Sequence, residues 1–185
     1  MNAMSRHFES SLWAPFPVEL VFAFFANPQN LPHMMAPRLK ARLEDMRLQP
    51  PPPRPLARDV TRRFKSLAAG EGSEILLSFV PVKWLPRLSW TTRVVDFGWN
   101  THFIEEQVRG PFAAFRHRHG FAGEIRDGAE GTLVTDAVDY AMPGGILGAV
   151  AAGRVWTQLE ESIAYRRKRL PEVLEAAARQ AAQRQ

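Results

Sequence analysis

Two histidines, His117 and His119, stand between Phe115 and Phe121 in a run that alternates rings with arginines. In an extended chain successive side chains point to opposite faces, so Phe115, His117, His119 and Phe121 share one face while Ala114, Arg116 and Arg118 share the other. The same period of two groups Thr132, Val134, Asp136, Val138 and Tyr140 on a later strand. A preceding strand divides into Phe103, Glu105, Gln107 and Arg109 against His102, Ile104, Glu106 and Val108, and both sets mix polar with apolar residues. If the rings mark the interior, Glu105, Gln107, His117, His119 and Asp136 meet among apolar walls. A buried polar group costs several kcal/mol when unpaired, so these groups must satisfy one another, a water or a ligand.

Three kinds of chemistry fit that set. It can be a structural network that satisfies itself across adjacent strands. It can supply the few polar contacts that orient a molecule in a mostly apolar pocket. It can be an acid/base site in which His117 or His119 moves a proton and Asp136 or Glu105 orients the imidazole, provided a substrate proton lies within hydrogen-bond reach. A metal is the weakest reading. The two imidazoles project about 6 to 7 Å apart from one face, and a third ligand has to come from another strand. No metal and no cofactor is assigned. The chain has no Gly-rich phosphate loop with lysine, no nucleophile elbow and no His-Glu-x-x-His helix.

The elements that position these residues are legible in order. A first strand is expected over 7–13, then a helix beginning near Pro17 with the stripe Val18, Val21, Phe22 and Phe25, stopped by Asn27-Pro28. A short helical turn follows from Asn30, and a second strand covers 39–48. Pro50, Pro51, Pro52, Pro53 and Pro55 remove amide donors and exclude a central strand, so an insert at about 49–72 reads as a stiff connector with helical character over 59–67. Strands are then expected over 73–80, 88–97, 101–109, 113–121 and 131–141, separated by Pro86, Gly98-Trp99-Asn100, Gly110-Pro111 and Asp127-Gly128. Such short links pair neighbours antiparallel. Finally 148–170 reads as a long amphipathic helix, with Ala152, Trp156, Leu159, Ile163 and Leu170 on one face and Arg154, Gln158, Glu161, Lys168 and Arg169 opposite. Its first turns, with Gly148, Ala149, Ala151, Ala152 and Gly153, either leave a void under the sheet or let helix and sheet approach closely. Pro171 should kink or end the helix, leaving 171–185 a helical or frayed extension.

Composition bounds the remaining classes. A chain of 185 residues fits one domain, placed here at 1–170, and has no apolar run near the roughly 20 residues of a membrane span. There is no cysteine, which excludes disulfides and thiol chemistry, and no signal-like start; both agree with a cytoplasmic setting. The net charge is +5, and the basic groups at 38–65 and 166–169 read as solvated surface. An RNA platform would put rings beside basic groups on an exposed face, whereas alternation separates the rings of 115–121 from the arginines, so nucleic acid is an unlikely partner. The sequence does not set the oligomeric state.

The run Gln107-Val108-Arg109-Gly110-Pro111-Phe112, then Phe115, His117, His119 and Phe121, then Gly131-Thr132-Leu133 with Asp136 and Tyr140, and a glycine-rich lead into a long helix, resembles bacterial members of the START-like (SRPBCC) superfamily. So does the opening Ala14-Pro15 with Glu19, Val21, Phe22 and Asn27-Pro28. The resemblance covers nearly the whole chain apart from the proline-rich insert and the residues beyond Leu170. It implies an α+β helix-grip fold, a seven-stranded curved antiparallel sheet around a long C-terminal helix with two short helices between strands one and two, and a hydrophobic cavity between sheet and helix. It further implies binding or transport of a lipid, isoprenoid or aromatic polyketide, or, in a minority of relatives, cyclase/dehydrase activity. The expected walls are Phe22, Trp90, Phe103, Phe115, Phe121, Val134, Val138, Trp156 and Leu159, with Gln107, His117, His119 and Asp136 as polar contacts and Trp84 as a candidate lid. His117, His119, Asp136 and Glu105 are the candidate catalytic groups of the enzyme alternative. A regulatory protein-interaction module would instead expose a contiguous apolar patch and lack a pocket.

Overall fold

A computed structural model describes residues 5–55, 66–144 and 146–183. The chain runs β1 (Ser5–Ala14), α1 (Val18–Phe25), a 3-10 turn at Pro28–Asn30, α2 (Leu31–Met34), a 3-10 turn at Pro37–Leu39, β2 (Arg42–Arg47), β3 (Glu74–Phe79), β4 (Leu88–Gly98), β5 (His102–Arg109), β6 (Ala114–Arg126), β7 (Ala129–Ala141) and α3 (Ile146–Gln183). All neighbouring strands are antiparallel, in the order β1-β7-β6-β5-β4-β3-β2. Strands consecutive in sequence from β2 to β7 are neighbours in the sheet, and β1 joins the far edge beside β7. Register shifts between Thr91 and Thr92 and between Val94 and Asp96 bend β4 against β5, as bulges do, and help curl the sheet. Asp127 and Gly128 both take positive φ, the pattern of the two-residue turn whose twist matches a β6–β7 hairpin.

Helix α1 is buried almost throughout. Its Phe22 ring meets Phe97, Phe103 and Phe121 edge-on at 5.2 to 6.3 Å, which fixes α1 across the end of the sheet near those strands. The described part of the proline-rich insert is held by Trp99, whose Nε1 donates to the Pro52 carbonyl at 2.7 Å while Arg54 covers its ring. Residues 56–65, which carry most of the helical character expected at 59–67, lie outside the described residues.

Helix α3 does not end at Pro171. It continues to Gln183, because Leu170 and Leu174, one turn apart, are both buried in the cluster around α1. Burying each side chain contributes about 1.5–3 kcal/mol, enough together to offset the roughly 3 kcal/mol that an interior proline costs. At the other end the small residues serve close approach. Tyr140 Oη donates to the Ala152 carbonyl at 2.9 Å with both residues buried, and a Cβ on Gly148 would lie 1.9 Å from the Pro143 carbonyl oxygen.

Candidate functional site

The facing left open in the sequence is settled by register. Glu105 lies opposite His117, and Phe103 opposite His119, across β5 and β6. Across β6 and β7, His119 lies opposite Asp136 and His117 opposite Val138. These side chains share the concave face, and Glu105, His119 and Asp136 are buried. His117 is partly buried. Asp136 is the hub. His117 Nε2 is 2.8 Å from its Oδ1, and Arg166 Nη1 donates to its Oδ2 at 2.8 Å. His119 Nδ1 also comes within 2.9 Å of Oδ1, but out of line for a hydrogen bond. On its other side His119 Nε2 faces Glu105 Oε2 at 3.7 Å, and its ring stacks on Phe103 with centroids 4.4 Å apart. Thr92 Oγ1 reaches Glu105 at 3.4 Å.

Burial pushes the Asp136 carboxyl up, but the Arg166 guanidinium and the two imidazoles outweigh it and hold the group well below the usual carboxylate range. Burial likewise opposes ionisation of Glu105, and His119 overcomes it and lowers that pKa. His119 is desolvated too, yet the carboxylates of Asp136 and Glu105 on either side raise it above its ordinary value. His117 goes the other way: burial and the charge of His119 lower it more than Asp136 raises it. The cluster thus sets the carboxylates of Asp136 and Glu105 against the Arg166 guanidinium and the two imidazoles. Because an ionised carboxylate only accepts, His117 is the donor, through Nε2, in its bond to Asp136.

Arg166 was assigned above to a solvated basic group, and the structure corrects that. The buried stripe of α3 runs through Leu159, Ile163, Leu170 and Leu174, and position 166 falls on it; the guanidinium also lies over the Phe25 ring at 5.6 Å. The signal was available in the helical period, where one arginine occupies an apolar slot.

The apolar residues divide around this cluster. Phe22, Phe103, Phe121 and Val134 belong to a core with α1, packed on one side. Phe115 and Val138 belong to a second core, against which Trp156, Leu159 and Phe112 are partly buried. Trp90 touches both cores and meets Phe115 edge-on at 4.8 Å. Its Nε1 is buried and has no acceptor among the described residues. Gln107 is drawn away from the expected polar set. Its amide closes on the Phe112 backbone, donating to the carbonyl at 2.8 Å and accepting from the N–H at 3.2 Å, and a Cβ on Gly110 would collide with it at 2.4 Å. Trp84 is 80% exposed and covers nothing as a lid. Beside Glu105, the space lined by Phe25, Leu31, Val94 and Phe103 is about 10 Å³, room for about one water.

No protein-family model matches the chain, and no curated protein matches it in sequence. Solved structures match its fold along almost the whole length. The Zhui aromatase/cyclase from Streptomyces sp. R1128 is 15% identical with a TM-score of 0.63, covering 95% of each chain. A START superfamily protein from Mycobacterium smegmatis is 14% identical at a TM-score of 0.57, covering 92% of this chain and 97% of the other. A norcoclaurine synthase point mutant of Thalictrum flavum, in complex with a transition state analogue, is 9% identical at 0.59, covering 95% and 98%. The fold is therefore the helix-grip fold of START-like proteins.

Proposed function

We propose that this helix-grip chain binds a hydrophobic small molecule between the concave face of its sheet and α3, against Trp90, Phe112, Phe115, Trp156 and Leu159. One observation carries the reading: the buried Trp90 Nε1, a donor without an acceptor among the described residues, set in a wall of partly buried rings. An unmade buried donor costs about 1–3 kcal/mol, which an oxygen of a ligand would recover. The His117 ring meets Phe115 edge-on at 6.2 Å, which sets the polar cluster beside the same wall. A lipid, isoprenoid or aromatic polyketide, the class that the START-like resemblance implies, suits that wall, and the fold is shared with an aromatase/cyclase. The test is a fluorescence titration with 1-anilinonaphthalene-8-sulfonate. The wild type should bind one probe saturably, and Leu159→Arg, which places a charge in the wall, should weaken binding at least about tenfold. Equal binding by both proteins defeats the proposal.

The His117–Asp136 pair favours a second reading, a cyclase/dehydrase-like enzyme in which Asp136 orients His117 as the acid/base. His117→Ala separates the two. A binder keeps most of its affinity, whereas an enzyme keeps affinity and loses about 10²-fold or more in rate.

A further inference from the structure

We propose that Glu105, His117 and His119 form a site for one divalent transition-metal ion of the zinc class, with Asp136 as the outer-shell carboxylate that aims both imidazoles. This goes beyond the ligand reading and does not depend on it. One donor atom from each of the three residues lies within 4.8 Å of the other two. The third ligand that two histidines on one strand need comes from the neighbouring strand, at the position directly opposite His117.

The orientation of the rings is what selects a metal over an internal network. Asp136 Oδ1 faces one nitrogen of each imidazole, His117 Nε2 at 2.8 Å and His119 Nδ1 at 2.9 Å. On His119 the second nitrogen, Nε2, faces Glu105, and on His117 an ion would take the nitrogen that Asp136 does not. A metal-bound histidine almost always gives its other nitrogen to such a carboxylate, as His117 does here, while His119 Nδ1 stands beside the same oxygen out of line for a hydrogen bond. Arg166 holds the far oxygen, Oδ2, at 2.8 Å, which keeps Asp136 in the outer shell. A network that merely satisfied itself would close His119 Nε2 onto Glu105, yet the two stand 3.7 Å apart. That gap is too long for a hydrogen bond and close to the roughly 3.4 Å between ligand atoms on a tetrahedral ion with bonds of about 2.1 Å. Two imidazoles and one carboxylate suit zinc, cobalt or ferrous iron, and leave a fourth position for water or an oxygen ligand. All the donors ride on paired strands, so the site is built on rigid backbone.

The experiment uses the full chain, freed of metal with a chelator and then titrated with Zn²⁺ by calorimetry and with Co²⁺ by visible absorption. One ion per chain should bind, with cobalt bands of a four- or five-coordinate nitrogen and oxygen site. His119→Ala should abolish the bands, and Asp136→Asn should weaken binding about 10–100-fold. His7→Ala, on the exposed edge strand, should leave binding intact. If the core variants fail to fold, wild-type NMR decides: Co²⁺ should shift and broaden the ring signals of His117 and His119, leaving those of His7 and His33 in place. The proposal is overturned by no stoichiometric uptake, by uptake that His119→Ala leaves unchanged, or by broadening confined to His7 and His33.

Discussion

Replacing Asp136 with Asn removes the one anion that faces Arg166 and His119 together. The side chain of Asp136 is 2% exposed, and those of Arg166 and His119 are 13% and 6% exposed, so water does little to replace it. Breaking a buried pair by deleting one partner costs about 3–5 kcal/mol, because the remaining charge stays buried without its counterion. Against a total stability of about 5–15 kcal/mol, that is a large fraction. For a chain of 185 residues each kcal/mol moves Tm by about 2–4 °C, so the midpoint should fall by roughly 6–20 °C. Arg166→Met alone should also destabilise, since it leaves the carboxylate with only imidazoles. The double variant should be more stable than the sum of the two losses predicts, by about 1–3 kcal/mol, because neither charge is then left behind. Urea unfolding followed by tryptophan fluorescence gives all four stabilities. Loss of less than about 1 kcal/mol in Asp136→Asn, or strict additivity in the double variant, refutes the claim that these groups form one buried, coupled unit.

Other consequences can be checked directly. Leu174→Ala should cost about 2–5 kcal/mol in the same unfolding assay, since Leu174 is fully buried beyond Pro171; a loss below about 1 kcal/mol would mean that the last turns of α3 do not hold the core. Trp84→Ala should change stability by no more than about 0.5 kcal/mol, because the ring is exposed, and a larger loss would show that it packs. His7, bonded to Asp139 and paired with Glu9 across the β1 edge, should titrate by NMR above 6.5, with Asp139→Asn bringing it back toward that value. The sign follows from the raised pKa: its contribution to stability is complete below pH 6.5 and fades as pH rises through the folded-state value. A titration at or below 6.5 would contradict the pairing.

The strand count, the order of elements and the inward face of β6 and β7 were legible because a curved sheet with one buried side enforces a period of two. Phe115, His117, His119 and Asp136 obey it without exception. The run of α3 past Pro171 was not legible, since the local penalty of proline is visible in the chain while the burial of Leu174 against α1 depends on contacts far apart in sequence. Arg166 was hidden for a related reason. Its neighbours Arg167, Lys168 and Arg169 are exposed, so the local run reads as a solvated surface, and only the α3 stripe separates it from them. Gln107 obeys the strand pattern yet folds onto Phe112, because a turn with Gly110 at its corner offers its amide a nearer pair of partners. The orphaned Trp90 Nε1 has no sequence signature, as it depends on which acceptors the third dimension withholds.

The central claim is that the space between sheet and α3 receives a hydrophobic molecule. Native mass spectrometry of the freshly purified chain tests it most directly. The wild type should carry a bound small molecule that dissociates on gentle activation and is missing from Leu159→Arg. A wild-type spectrum showing only the bare chain, or an adduct that Leu159→Arg retains at the same occupancy, would contradict it.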